Sequence, residues 1–348
     1  SMVQPQDGFN ATSSSKWKER RQRRRERQRA VKEEERESFK VEGGCQDENT
    51  TNAIKWSKTH TRMYQSAIRT CLKEMMVTSS WSNNESSSGL QIVIDLGMDE
   101  LMSDTEIKSL VTQLQLSYSV CLKLTGDAIL KQMSGTSQRK ESGKDVVYDS
   151  DWESKSGKER RQILAQRAII EAGRCSDENT IKIGPTNILF SSLERDGRIE
   201  QALFRDDGFQ HWAVRTSPLA FAEAAIAASE NDERGGSEEQ QRIVVLSPDA
   251  PEAFSGPLDR SCIYVVGGLC DYKRISNATL HRSQEAGRKY NVVARRLPIK
   301  ESLGDIDVKI LTVNQAVEAL VRVNLTDGDW ADALAAILPA RKLIGKKT

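Results

Sequence analysis

The hydrophobic positions of this chain fall into two kinds of segment. In the first, apolar residues follow one another without a break, which is typical of strands buried on both faces of a sheet. In the second, they recur every three or four positions, as on one face of an amphipathic helix. Short segments dominated by such apolar residues predict strands at residues 91–96, 187–190, 243–246, 262–266, 292–297 and 308–311. The helical spacing predicts helices at residues 54–77, from 103 onward, and at 162–172, 279–289, 314–323 and 329–338.

Start and stop signals support two of these helices. Ser103 and Glu106 form the S-x-x-E pattern of a capping box, in which each side chain bonds the backbone N–H of the other residue. Asp329 suits the N-cap of the last helix, and Pro339 stops that helix. Because single helices separate the strands, we expect an α/β fold with a mainly parallel sheet covered on both faces.

Polar, low-complexity segments divide the chain into three parts. Residues 1–88 form a basic N-terminal extension, which we expect to be disordered apart from the helix at 54–77. Residues 89–342 form the α/β domain. A segment rich in Ser, Gly and Lys interrupts this domain at about 126–183, and we expect that insertion to be mostly mobile. Residues 343–348 form a basic tail.

The net charge of +1 hides a strong asymmetry. Residues 1–88 carry a net charge of +5 and the last eight residues +4, so residues 89–340 carry −8. Residues 16–32 include ten basic and two acidic side chains, among them Arg20, Arg21, Arg23, Arg24 and Arg25. Such a block releases counterions from phosphates when it meets a polyanion, so we expect it to contact RNA or DNA. The alternative is a solvated, partly helical tail or a nuclear-localisation signal.

Several classes of protein are excluded by what the sequence lacks. No apolar stretch approaches about 18 residues, and no basic segment leads into an apolar one, so we expect neither a transmembrane helix nor a secretory signal. Six scattered cysteines without a CxxC pair, together with three histidines, favour reduced thiols and no metal site. The phosphate-binding patterns GxGxxG and GxxxxGK[ST] and the hydrolase pattern GxSxG do not occur. We therefore expect a soluble intracellular protein that contacts no membrane.

Three loops begin at the carboxyl ends of predicted strands, which is the edge where open α/β sheets bind ligands. They span residues 246–249, 266–271 and 311–315, and residues 297–299 lie beside them. Gly267 and Gly268 directly follow a buried strand, which permits positive φ angles and close approach of a ligand to the backbone. Taken alone, such a pair more often marks a tight turn. Asp271 at its mouth is, taken alone, more often an N-cap or Asx-turn residue.

Together these loops resemble one family. The block RIVVLSPD…SCIYVVGGLCDYKR…ARRLPI…KILTVNQAVEALV…GDWADALAAILPARK is similar to the tRNA N1-purine-9 methyltransferases, a branch of the SPOUT class of S-adenosylmethionine-dependent enzymes. Residues 91–118 resemble the opening strand and helix of that family, and Trp212 stands where its members usually carry a tryptophan. One departure follows Asp271, where the sequence YKRIS replaces the family's usual Asn/His-Arg-x-Lys.

The resemblance implies a SPOUT-type α/β domain with a C-terminal trefoil knot whose loops bind S-adenosylmethionine. On matching positions, the cofactor-binding residues would be Leu246, Gly267, Gly268, Tyr272, Lys273, Arg274, Ile275, Ser276, Thr279, Leu297, Thr312, Val313 and Asn314. Asp271 would be the general base that removes the proton from N1 of guanine. Arg274, Arg295 and Arg296 would hold RNA phosphates together with the N-terminal arginines, and the alternative for each is an exposed surface charge.

We therefore expect a tRNA methyltransferase that modifies N1 of guanine at position 9, using S-adenosylmethionine and no metal. Adenine or dual specificity stays open, and so does a non-catalytic tRNA-binding subunit of a tRNA-processing complex. A purely structural interaction module leaves the ligand-edge loops unexplained. The resemblance implies a monomer. The arginine-rich segment suits a nuclear or cytoplasmic location, and a mitochondrial one stays open.

Overall fold

The computed structural model describes residues 58–78, 89–136, 154–174, 182–205, 208–230, 241–270, 275–304, 306, 308 and 310–339. The chain divides into two units, residues 1–63 and 64–348. Of the first unit, only the start of one helix is described. The predicted disorder of residues 1–50, the arginines between residues 20 and 25, and the basic tail all lie outside the described residues.

In the described part of the chain, six strands form one sheet in which every pair of neighbours is parallel, in the order β3-β2-β1-β5-β4-β6. The strands are β1 (Gln91–Asp95), β2 (Asn187–Ser191), β3 (Arg215–Thr216), β4 (Ile243–Leu246), β5 (Ile263–Gly267) and β6 (Val292–Arg295). The α/β prediction and the mainly parallel sheet are confirmed. The trefoil knot stays a prediction.

Nine α-helices accompany this sheet within the described ranges. They are α1 (Lys58–Thr78), α2 (Asp104–Thr136), α3 (Gly157–Arg174), α4 (Arg198–Phe204), α5 (Phe221–Glu230), α6 (Ala278–Ala286), α7 (Ile299–Leu303), α8 (Val313–Leu325) and α9 (Trp330–Ile337). Short 3-10 turns lie at Asp99–Leu101 and Phe209–His211. Helix α2 packs against α8, and α8 against α9.

Both faces of the sheet are buried, as the unbroken apolar runs predicted. On β1, Ile92 and Ile94 belong to the large core that also contains residues of α2 and α8. Val93 points to the other face and joins a smaller core formed with Phe221 and Ala225 of α5. Successive side chains of a strand alternate between faces, so the middle of a strand covered on both sides is apolar at consecutive positions.

The predicted helix caps are confirmed. The backbone N–H of Ser103 donates to Glu106 Oε2 at 2.8 Å, and the N–H of Glu106 donates to Ser103 Oγ at 3.4 Å. Asp329 Oδ1 accepts from the N–H of Asp332 at 2.9 Å at the start of α9. These bonds satisfy N–H groups that the first turn of a helix leaves without partners.

Three helices lie in the predicted extension and insertion. Helix α1, predicted at 54–77, spans Lys58–Thr78 and buries Ile68, Cys71, Leu72 and Met76 in the large core. In the predicted insertion, α2 continues to Thr136, and α3 spans Gly157–Arg174 and includes the helix predicted at 162–172. The domain boundaries themselves stay a prediction.

The strand predicted at 308–311 is wrong. The described residues Val308, Ile310 and Leu311 are not in a strand, and they line a cavity instead. A short apolar run reports burial but does not say whether the chain is covered by a sheet neighbour or by a loop. The pattern also missed the edge strand β3 and the helices α4, α5 and α7.

Three further findings concern membrane-spanning helices, metal sites and cysteines. No helix in the described part of the chain has the length and apolarity needed to cross a membrane. Among the same residues, no three His, Cys, Asp or Glu side chains are grouped so that they could hold a metal ion. The four described cysteines, Cys71, Cys121, Cys262 and Cys270, are free and buried, and burial raises the pKa of the Cys262 thiol to about 12.

Candidate active site

The carboxyl ends of β4 and β5 open into one cavity of about 890 Å³. Residues from all four segments singled out in the sequence line it, together with Ser109 and Gln113 of α2. The lining residues from those segments are Leu246, Ser247, Pro248, Asp249, Val266, Gly267, Leu269, Cys270, Leu297, Ile299, Leu311, Thr312 and Val313. The parallel sheet brings these segments together because its strands all end at the same edge.

Most of the described residues predicted to bind the cofactor reach this cavity. Those that line it are Leu246, Gly267, Ile275, Thr279, Leu297, Thr312 and Val313, and Arg296 of the predicted phosphate-binding set also does so. Gly268, Ser276, Asn314 and Arg295 are not among the lining residues. Asp271, Tyr272, Lys273 and Arg274 lie outside the described residues.

The two glycines are required by crowding, not by backbone conformation as predicted. The described glycines with positive φ are Gly256, Gly304 and Gly328, so neither Gly267 nor Gly268 uses that freedom. A Cβ at Gly267 would collide with the side chain of Thr279. A Cβ at Gly268 would lie 2.8 Å from the carbonyl oxygen of Asp95 and 2.7 Å from Leu96 Cδ2. Only glycine fits where these elements meet.

Two hydrogen bonds attach the start of α6 to the loop that follows β4. Asp249 Oδ2 accepts from the backbone N–H of Asn277 at 2.7 Å, and Thr279 Oγ1 lies 3.3 Å from Ser247 Oγ. Asn277 has a φ of 63°, in the left-handed region that costs free energy for residues other than glycine. The hydrogen bond that Asn277 donates to Asp249 helps to hold this conformation. The start of α6, which forms one wall of the cavity, is therefore fixed to the loop after β4.

Gln113, which was not predicted as a site residue, joins two of the cavity loops. Its Nε2 donates to Cys270 Sγ at 3.3 Å, and its Oε1 accepts from the backbone N–H of Val313 at 2.9 Å. Its one signal in the sequence is a polar residue next to Leu114 and four positions after Ser109, on a helix with many other polar residues. That signal does not reveal the partners, because they are distant in the chain.

The two described arginines predicted to bind phosphate, Arg295 and Arg296, are ion-paired in this structure. Arg295 Nη1 lies 2.6 Å from Glu252 Oε2, and Arg296 makes two bonds to the carboxylate of Glu301, at 2.6 and 3.0 Å. The hydrogen bonds between Arg296 and Glu301 lower the pKa of Glu301 and raise the pKa of Arg296. A phosphate that binds Arg295 would have to share that side chain with Glu252 or displace Glu252. The same holds for a phosphate at Arg296 and the carboxylate of Glu301.

The tryptophan expected from the resemblance is a packing residue. The ring of Trp212 stacks on Tyr118, with centroids 5.3 Å apart and planes 12° from parallel. The Tyr118 hydroxyl accepts from the backbone N–H of Ala213 at 3.0 Å. This pair fixes the segment after β2 against α2 and does not line the cavity.

The cavity has the size and chemistry of a small-molecule site. Its volume lies within the range of about 300–1,000 Å³ that such sites occupy. Its walls combine apolar side chains and the hydroxyls of Ser247, Thr279 and Thr312 with the carboxylate of Asp249 and the cations Arg296 and Lys300. These groups suit a ligand that joins an apolar ring to hydroxyls and to charges of both signs.

Comparison with known proteins gives a match to one family model and to several curated proteins and solved structures. A family model described as tRNA (guanine(9)-N(1))-methyltransferase TRM10/TRM10A matches residues 10–153 and 127–343. The tRNA (guanine(9)-N1)-methyltransferase of Kluyveromyces lactis is 24% identical over 260 residues, which are 75% of this chain and 61% of that protein. The enzyme of the same description from Schizosaccharomyces pombe is 35% identical over 104 residues, 30% of this chain and 32% of that protein.

A solved structure, the complex of full-length spTrm10 with SAH, is 21% identical with a TM-score of 0.45, covering 75% of this chain and 99% of that chain. In the sequence alignments, this chain spans less than two thirds of the length of either curated relative. The family model nevertheless matches well over half of this chain. The chain therefore belongs to the tRNA (guanine(9)-N(1))-methyltransferase TRM10/TRM10A family.

Proposed function

We propose that this protein transfers a methyl group from S-adenosylmethionine to N1 of guanine at position 9 of tRNA. The observation that carries the proposal is the meeting of four loops in one cavity at the carboxyl edge of the sheet. The matched family is described as tRNA (guanine(9)-N(1))-methyltransferase, so we infer that this cavity serves the same reaction. The acidic domain, with basic residues at its two ends, suits a protein that holds a polyanion.

The cavity residues would hold the cofactor by shape and by a few polar groups. Leu246, Leu297 and Val313 provide apolar surface for the adenine ring, and the hydroxyls of Thr279 and Thr312, which bond Ser247 and Asn314 in this structure, line the same cavity. When bound, S-adenosylmethionine supplies a methyl group whose carbon–sulfur bond breaks as a bond to N1 forms. The protein's main contribution to such a displacement is to orient the two reactants.

Asp271 is the residue that we assign to proton removal. Guanine N1 carries a proton that must leave as the nitrogen attacks, and a carboxylate is an acceptor for it. Asp271 directly follows Cys270 in the sequence, and Cys270 lines the cavity. Adenine N1 has no such proton, so an adenine substrate would leave Asp271 only an orienting role.

Mass spectrometry of nucleosides tests the proposal directly. Unmodified tRNA transcripts carrying guanine or adenine at position 9 are incubated with the protein and S-adenosylmethionine. N1-methylguanosine confined to the guanine transcript is the expected result. N1-methyladenosine as well would show dual specificity. Absence of either product, with tRNA still bound, would overturn the enzymatic proposal and favour a tRNA-binding subunit.

The N-terminal basic segment is proposed to bind the tRNA backbone. Deleting residues 1–40 should weaken tRNA binding, and the slope of log affinity against log salt should become shallower by roughly 0.9 for each phosphate that is no longer neutralised. Filter binding across a salt series measures this slope. Replacing five arginines between residues 20 and 25 by Gln in the full-length chain should have a similar effect. An unchanged slope in both variants would leave the segment as a localisation signal only.

Gln113 is expected to matter for cofactor binding through the two loops that it joins. Gln113→Met keeps the length of the side chain but removes both bonds, each worth about 1 kcal/mol. We expect the dissociation constant for S-adenosylmethionine, measured by calorimetry, to rise about tenfold. Gln115→Met is the control, because Gln115 is exposed on the same helix. Equal affinities in the two variants would contradict this role.

A further inference from the structure

A buried carboxylate that the proposed mechanism does not use lies at the carboxyl end of β1. The side chain of Asp95 is only 4% exposed. Arg282 donates to it from Nε at 2.7 Å and from Nη2 at 3.0 Å. The hydroxyl of Ser192 at 2.9 Å and the backbone N–H of Gly97 at 3.2 Å complete its partners. Two-pronged bonding of this kind is stronger and more directional than a single contact.

The arginine of this pair comes from a cavity wall. Arg282 lies on α6, one helical turn after Thr279, so the two side chains share a face of that helix. Thr279 lines the cavity and contacts Gly267 at the end of β5. The start of α6 is also bonded to the loop after β4 through Asn277. Helix α6 is therefore attached to the ends of three adjacent strands, β4, β5 and β1.

The site of the pair is shaped for the guanidinium group. A Cβ at Gly97 would lie 2.7 Å from Arg282 Nη2 and 2.9 Å from both Cβ and Oγ of Ser192. Gly97 has no positive φ, so its backbone would accept alanine. Its missing side chain is what makes room for the ion pair.

We propose that Arg282 is a positioning residue for the methyl transfer, acting through Asp95 to fix α6 and to seat Thr279 against Gly267. The inference rests on the proposed function. Taking Arg282 away leaves the buried carboxylate of Asp95 without its opposite charge, so the position of α6 depends on the intact pair. Misplacing reactants by about 1 Å through a distant substitution can slow a reaction by about 10²-fold.

The test compares Arg282→Gln with Lys289→Gln in the full-length protein. Lys289 forms an exposed ion pair with Glu223 in the turn after α6, so each variant removes one positive charge from the same region. We expect Arg282→Gln to slow single-turnover methylation by about 10²-fold at saturating tRNA and cofactor, with tRNA affinity equal to that of Lys289→Gln. Hydrogen exchange of the peptide 276–286 should become faster only in Arg282→Gln.

Two further variants keep the test decisive. Arg282→Lys retains the charge and one hydrogen bond, so it should recover part of the rate. Gly97→Ala changes no charge but crowds the guanidinium, so it should reproduce the slower rate and the faster exchange. Arg282→Gln with wild-type turnover and exchange overturns the inference. A defect confined to tRNA affinity also overturns it and makes Arg282 a phosphate ligand.

The exchange measurement separates this inference from the proposed function. If the wild-type protein methylates no tRNA, the proposed function fails. Faster exchange of residues 276–286 in Arg282→Gln would then still show that the pair fixes α6. If the wild type is active and exchange in the variant is unchanged, the proposed function stands and the positioning role fails.

Discussion

Asp271→Asn is expected to slow methyl transfer to guanine by about 10²- to 10⁴-fold, the usual contribution of a positioned base. The amide has nearly the shape of the carboxylate, but it does not accept a proton at neutral pH. Affinities for tRNA and cofactor should therefore change little. Single-turnover kinetics with saturating tRNA measures the chemical step separately from binding.

A control for the removed charge is available nearby. Glu285→Gln removes one negative charge from an exposed position on α6 and should leave the rate unchanged. If Asp271→Asn methylates guanine as fast as the wild type, Asp271 is not the base. A failure of cofactor binding in that variant would instead assign Asp271 to binding.

Gly268→Ala should destabilise the loop beside the cavity. The added methyl group would lie 2.8 Å from the backbone oxygen of Asp95, which cannot move without moving β1. Overpacking of this kind costs about 1–3 kcal/mol of the free energy of unfolding. The strain falls on the loop that starts at β5, so cofactor affinity should decrease as well. Urea denaturation and calorimetry measure the two effects.

Gly126→Ala is the matched control for this substitution. Gly126 lies inside α2, where a Cβ would be 3.7 Å from Ile68 and 3.9 Å from Leu72, at ordinary contact distances. Alanine in a helix interior stabilises by about 0.5–1 kcal/mol relative to glycine. The two variants should therefore change stability in opposite directions. A Gly268→Ala protein as stable as the wild type would show that the loop can relax.

The sequence predicted the sheet well because its strands are short, apolar and buried on both faces. Predicted strand ends at β1, β2, β4, β5 and β6 differ from the observed ends by at most two residues. The run at 308–311 has the same composition but covers a cavity, and composition does not distinguish these environments. Helix α5, whose sequence is rich in alanine, was not predicted.

Residues of the candidate site could be predicted where they follow predicted strands. They could not be predicted where their hydrogen-bond partners are distant in the sequence. Gly267, Leu297 and Thr312 occupy strand ends or loops of a recognisable pattern, so their meeting could be expected. Gln113 and Arg282 lie inside helices, and their importance comes from partners far away in the sequence. Hydrogen bonds of this kind form only in the folded structure, so no local sequence spacing predicts them.

The all-parallel order of the sheet has a consequence for how the protein is made. Strand β1 lies between β2 and β5, and its register pairs Gln91 with both Asn187 and Ile263. No hairpin can form either pairing, because parallel neighbours need a long crossover between them. During synthesis, β1 therefore emerges long before β5, with one edge unpaired until residue 267 is available. Such edges attract other chains. A truncated product ending before β5 should aggregate, and early folding of this protein should depend on the protection that chaperones give.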